Sequence, residues 1–149
     1  MQIKDKVVVV TGGANGIGEA MARRFHADGA RAVVVADRDI ERARLVAADI
    51  GGLAIACDVS VEADIQNLVA QTKAAYGEID LFCSNAGVAD GDPDKNNVAA
   101  ASDAAWARSW GAGVPCSCAA AAAAGPPGLR PRAATARRSA GPRPAGRRG

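Results

Sequence analysis

The chain is poor in the features that most often announce chemistry or location. It has one histidine, one tyrosine, 3% aromatic residues and no long apolar run. No stretch approaches the ~20 consecutive apolar residues that span a bilayer. The opening residues, Met1-Gln2-Ile3-Lys4-Asp5-Lys6, carry no apolar segment of signal-peptide length, so a cytoplasmic protein without membrane partners is expected. Four cysteines, Cys57, Cys83, Cys116 and Cys118, show no C-x-x-C pairing. Cys57 and Cys83 close apolar segments, where buried reduced thiols are expected. Cys116-x-Cys118 is close enough to share a metal, but no histidine stands near it and none is expected to bind. His26 has no carboxylate or nucleophile flanking it and is expected on the surface.

What is present is divided in two. All 16 acidic residues fall in 1–110, against 11 Lys/Arg, while 111–149 holds 7 Arg and no acid. In that last stretch Ala, Gly, Pro and Arg fill 32 of 39 positions. The expected organisation is a folded part over 1–110 and a low-complexity, disordered tail over 111–149.

The folded part turns on Val7-Val8-Val9-Val10-Thr11-Gly12-Gly13-Ala14-Asn15-Gly16-Ile17-Gly18. Four consecutive β-branched residues predict a strand buried on both faces, as in parallel sheets. The glycines follow at once, and a helical apolar pattern opens behind them with Ile17, Met21 and Phe25 on one stripe, closed by Gly29. Strand, glycine turn and helix N-terminus together let backbone N–H groups approach a nucleotide diphosphate.

The same alternation continues. Ala32–Ala36 predicts a second strand ending at Asp37, and Asp39 a cap for a helix whose Ile40, Ala43, Val46, Ala47 and Ile50 share a face. Leu53–Cys57 predicts a third strand, with Ser60 capping the next helix and Glu62 and Asp64 in its first turn. Ile65, Leu68, Val69, Thr72 and Tyr76 form that helix's inner face up to Gly77, and Ile79–Ser84 predicts a fourth strand. The fold expected is α/β: a Rossmann-like, doubly wound parallel sheet of about four strands. Asp37 lies 19 residues beyond Gly18, near the spacing at which such folds set an acid against the adenosine ribose. Its charge would repel a 2′-phosphate, so NAD is expected rather than NADP, with Arg38 as the residue able to offset that repulsion.

These residues resemble the short-chain dehydrogenases/reductases. The match is carried by Thr11-Gly12-x-x-x-Gly16-x-Gly18, Asp37, Cys57-Asp58-Val59, Tyr76-Gly77-x-Ile79-Asp80 and Ser84-Asn85-Ala86-Gly87, in the family's order and spacing to about residue 90. The resemblance implies that Gly12, Gly16 and Gly18 line the pyrophosphate, that the Asp58 side chain meets adenine with the Val59 backbone beside it, and that Asn85, Ala86 and Gly87 wall the adenosine ribose and hold the central strands together. The expected cofactor set is thus Thr11, Gly12, Asn15, Gly16, Ile17, Gly18, Asp37, Arg38, Asp58, Val59, Asn85, Ala86 and Gly87. It also implies strand order 3-2-1-4, with strand four central in the complete fold and the sheet here incomplete, and hydride exchange between nicotinamide and a small alcohol or carbonyl substrate.

Beyond Gly87 the pattern fades. Residues 88–97 predict a polar loop whose Asp90, Asp92 and Asp94 are solvated, with no metal expected. A helix is expected from Ser102-Asp103, with Trp106 and Trp110 one turn apart, and Pro115 would break it. The family's active-site Asn does not follow Trp110. Its catalytic Ser and Tyr-x-x-x-Lys have no counterpart either: the one tyrosine, Tyr76, is followed by Asp80, and the last lysine is Lys95. No catalytic residue is therefore assigned. Ala, Gly, Pro and Arg codons begin GC, GG, CC and CG, so the tail reads as GC-rich DNA translated out of frame from near codon 111. The rival is a basic tail that binds nucleic acid or anionic membrane, for which aromatics and amphipathic spacing are missing. No nucleic-acid partner and no family-type homo-oligomer are expected. Ile79–Ser84, without a fifth strand, is expected to be an exposed, aggregation-prone edge in a marginally stable product.

Overall fold

Val7–Thr11 forms β1 and Gly16–Ala27 forms α1; β2 (Ala32–Asp37), α2 (Ile40–Asp49), β3 (Leu53–Ala56), α3 (Glu62–Tyr76) and β4 (Leu81–Cys83) follow in strict alternation. The computed structural model describes residues 2–87 and Ala107. The loop expected over 88–97, the helix with Trp106 and Trp110, the Cys116-x-Cys118 pair and the tail over 111–149 lie outside the described residues.

The strands form one parallel sheet in the order β3-β2-β1-β4. Register runs from Val7 opposite Ala32 to Thr11 opposite Ala36, and from Val8 opposite Leu81 to Val10 opposite Cys83. Because side chains alternate along a strand, each stretch of valines feeds two cores. Val9, Val34, Ala36 and Ile55 face α3 and pack with its Ile65 and Leu68. Val8, Val10, Val33 and Val35 face α1 and α2, packing with Ala22, Ala43, Val46 and Ala47. Small residues on α1 and α2 let those helices lie close to the sheet. Helices on both faces make the sheet doubly wound, as expected.

Three local expectations need correction. Ile17 does not join the inner stripe of α1; it is 75% exposed, and the fully buried face is Gly18 and Ala22, with Met21 and Phe25 partly covered beside it. The helix starts where Gly18 abuts the preceding turn, and that close approach rotates Ile17 outward. Ser60 does not cap α3: the N-cap position is Val61, without a side-chain bond, and the Ser60 hydroxyl is tied to Asp58 instead. Asp39, by contrast, does cap α2, accepting from Arg42 N at 3.1 Å.

The fourth strand is shorter than Ile79–Ser84. Asp80 occupies the place where its ladder would begin: Oδ2 accepts from Val7 N and its own N–H donates to Val7 O, both at 3.0 Å. Lys6 Nζ pairs with Asp80 Oδ1 at 3.0 Å, closing a clamp at the amino ends of β1 and β4. After Cys83 the chain bends, Asn85 N bonding Cys83 O at 3.0 Å. Among the described residues β4 has β1 as its one strand neighbour, and Leu81, Phe82 and Cys83 are half-buried.

Candidate dinucleotide site

The carboxyl ends of all four strands gather at one rim of the sheet, and the residues expected to bind a cofactor lie along it. At its centre is the turn between β1 and α1. Gly16 adopts φ +52°, which an L side chain rarely takes, and a Cβ built there would meet no atom within 4 Å. Gly18 has the opposite constraint: a Cβ would overlap the Gly12 carbonyl oxygen and lie 2.7 Å from Asn85 Nδ2. One glycine thus leaves open space in front of the helix, and the other draws the helix against the strand. Asn15, extended at φ −156°, is the N-cap and makes no side-chain cap bond. The first N–H groups of α1 therefore lack a capping side chain, at the end where the helix dipole is positive.

Thr11 and Asn85 tie the turn to the end of β4. Thr11 is fully buried; its hydroxyl donates to Cys83 O at 3.2 Å and accepts from Asn85 N at 3.1 Å and Ala86 N at 3.2 Å. Asn85 Nδ2 donates back to Thr11 O at 3.1 Å and Gly12 O at 3.4 Å. This clasp positions Ala86 and the exposed Gly87 at the rim, and leaves the Thr11 side chain no surface of its own. Burial pushes the neighbouring Cys83 thiol above its ordinary pKa. Cys57 is buried and forms no disulfide among the described residues.

The acids stand further along the rim. Asp37, the last residue of β2, accepts from Ala14 N through Oδ2 at 3.1 Å and from Asp39 N through Oδ1 at 3.0 Å. Each carboxylate oxygen keeps a second lone pair for a ligand hydroxyl. Asp58, beyond β3, is exposed, and its Oδ1 accepts from the Ser60 hydroxyl at 2.6 Å and Ser60 N at 2.9 Å. These bonds hold its carboxyl below the usual range; slight burial opposes them, and the positive charge of Arg38 adds to them. Arg38, the source of that charge, is itself exposed. Val59 turns its side chain into the core, leaving its backbone at the rim. Asp64 was not among the expected site residues, yet its Oδ2 accepts from Asp58 N at 2.9 Å and fixes the start of this loop. Its place in the first turn of α3 was the available signal. His26 is exposed on α1, away from this rim.

A glycine turn at a helix N-terminus, with an acid at the end of the adjacent strand, is the arrangement that the resemblance leads one to expect. The family model described as short chain dehydrogenase matches residues 6–114. This chain belongs to the short-chain dehydrogenase family. A (+)-cis,trans-nepetalactol synthase of Nepeta racemosa is 45% identical over 89 residues, which cover 58% of this chain and 33% of that protein. A tropinone reductase-like protein of Erythroxylum coca is 45% identical over 92 residues, covering 60% and 34%. Among solved structures, a 3-ketoacyl-(acyl-carrier-protein) reductase of Brucella melitensis complexed with NADH superposes with a TM-score of 0.71 at 34% identity, over 79% of this chain and 48% of that one. A short-chain dehydrogenase of Burkholderia phymatum in complex with NAD gives 0.70 at 26%, over 80% and 43%. The chain thus spans about a third of the length of those curated relatives and about half of those structures. Among the described residues, no three His, Cys, Asp or Glu side chains gather in a way that could hold a metal ion, and no helix is long and apolar enough to cross a membrane.

Proposed function

We propose that the chain binds a nicotinamide dinucleotide, NAD in preference to NADP, along the rim formed by β1–β4, and that its 149 residues do not transfer hydride. The observation that carries the binding half is the open space at Gly16 before an uncapped helix N-terminus, with Asp37 one strand away. Backbone N–H groups of residues 15–18 hold the diphosphate. Asp37 takes the adenosine ribose hydroxyls on its free lone pairs, and its charge opposes a 2′-phosphate. Asp58 and the Val59 backbone flank adenine, and Asn85, Ala86 and Gly87 wall the ribose. Thr11 acts by fixing that wall, and Ile17, exposed beside the turn, offers apolar surface toward the nicotinamide end. The bound nicotinamide supplies a hydride acceptor or donor.

The second half rests on the residue inventory. A proton must pass to or from the substrate oxygen, and the family's Tyr-x-x-x-Lys and Ser, which would do this, have no counterpart in the chain. We attribute the Ala/Gly/Pro/Arg stretch to a shift of frame near codon 111, in a protein whose complete form is a cytoplasmic oxidoreductase of small alcohols or carbonyls. A fluorescence titration with NADH beside an alcohol-oxidation assay tests both halves. Saturable NADH binding without turnover is expected. Turnover above background, or a folded chain that leaves NADH fluorescence unchanged, contradicts one half or the other.

A further inference from the structure

The Asp37 carboxylate does more than wait for a ligand. Its Oδ2 accepts the N–H of Ala14, a residue in the middle of the glycine turn that is 1% exposed. The preceding amide, Gly13 N, bonds Ala36 O at 3.2 Å. Two successive amides thus dock the turn on the end of β2, the first through the backbone and the second through this side chain. The other carboxylate oxygen is held by Asp39 N, and Asp39 in turn caps α2. The plane of the carboxylate is therefore set by the β2–α2 corner before any ligand arrives. Without Oδ2, the buried Ala14 N–H has no acceptor, and the 13–14 peptide must rotate or admit water. Rotation there carries Asn15 and Gly16, whose N–H groups are among those proposed to hold the diphosphate.

We propose that Asp37 is a positioning residue for the diphosphate-binding turn, in addition to taking the ribose. The inference rests on the proposed dinucleotide site. It has a consequence that runs against charge. A carboxylate near a diphosphate repels it, so removing the charge alone should tighten diphosphate binding. If Asp37 sets the turn, removing it weakens binding even for a ligand with no ribose hydroxyl to offer.

The test compares ADP with 2′,3′-dideoxy-ADP on the full 149-residue chain, by calorimetry, for the native protein, Asp37→Ser and Asp37→Asn. The native chain should bind both. Asp37→Ser should lose about tenfold in affinity for the dideoxy ligand, the order of one charge-assisted hydrogen bond, at an unchanged circular dichroism spectrum. Asp37→Asn keeps one acceptor oxygen and should lose less, which a general loosening of the fold would not produce. Should Asp37→Ser not fold, Asp37→Asn decides, with a loss of about threefold expected. Unchanged or tighter dideoxy-ADP binding by the folded variant overturns the positioning role while leaving the site intact. A folded native chain that binds neither ligand overturns the site and the inference with it.

Discussion

Thr11 concentrates more of the site's geometry than any other side chain. Its hydroxyl serves two backbone N–H groups and one carbonyl in a place closed to water. Thr11→Val keeps the shape and strands the Ala86 N–H, while Asn85 N keeps Cys83 O, so it should lower stability by about 2 kcal/mol in urea denaturation. A loss below about 0.5 kcal/mol would mean that water replaces the hydroxyl. At Asp58 the prediction concerns pH. Its folded carboxyl titrates below the usual value, chiefly through the Ser60 hydroxyl, so its stabilisation is present above the unfolded value and is lost as pH falls through the folded one. Asp58→Asn should therefore cost about 0.5 kcal/mol at neutral pH, after discounting for solvent exposure, and the cost should vanish as pH falls through the folded value. Thermal melts from pH 2 to 7 read this directly. Much of the site was legible from residue identity, because glycine spacing and an acid at a fixed distance are local patterns. The Asp37–Ala14 bond was not, since it joins residues 23 apart whose meeting depends on the sheet.

The elements show why some local expectations succeeded and others did not. Runs such as Val7–Val10 and Val33–Val35 can be nothing but central strands, and their alternation supplies both cores. Ile17 was misjudged because helical periodicity alone sets the stripe; the phase is decided by Gly18 meeting the Gly12 carbonyl, a contact with no periodic signature. Ser60 was misjudged because an Asp two residues earlier offers its hydroxyl a charged acceptor, which outcompetes a helix cap. The length of β4 depends on Asp80, which replaces a backbone rung with a carboxylate that also pairs Lys6. Asp80→Ala strands the fully buried Val7 N–H and should cost about 2 kcal/mol. Amide exchange should then accelerate at Leu81–Cys83 well beyond that in β2; equal acceleration throughout would assign the clamp a global role instead.

At the scale of the molecule, a sheet with helices on both faces presents one rim for binding, and β4 is an edge of the described sheet. A half-buried strand with one neighbour is a template for another chain. The 149-residue product should therefore be only marginally stable, and a cooperative monomer melting above about 60 °C would contradict this. The frame-shift explanation of the tail is checked on the DNA. One of the other two frames should encode an Asn near the junction and Tyr-x-x-x-Lys about forty codons on, the position the family resemblance leads one to expect; if neither frame does, the explanation is refuted.

The most direct test of the dinucleotide site is an amide chemical-shift map of the isotope-labelled chain titrated with NAD. The largest shifts are expected at residues 15–18, at 37–38 and at 58–59, with the carboxyl-terminal turns of α1 and α3 unmoved. A well-dispersed spectrum that does not change at millimolar NAD, or that changes mainly at those helix ends, would contradict the account.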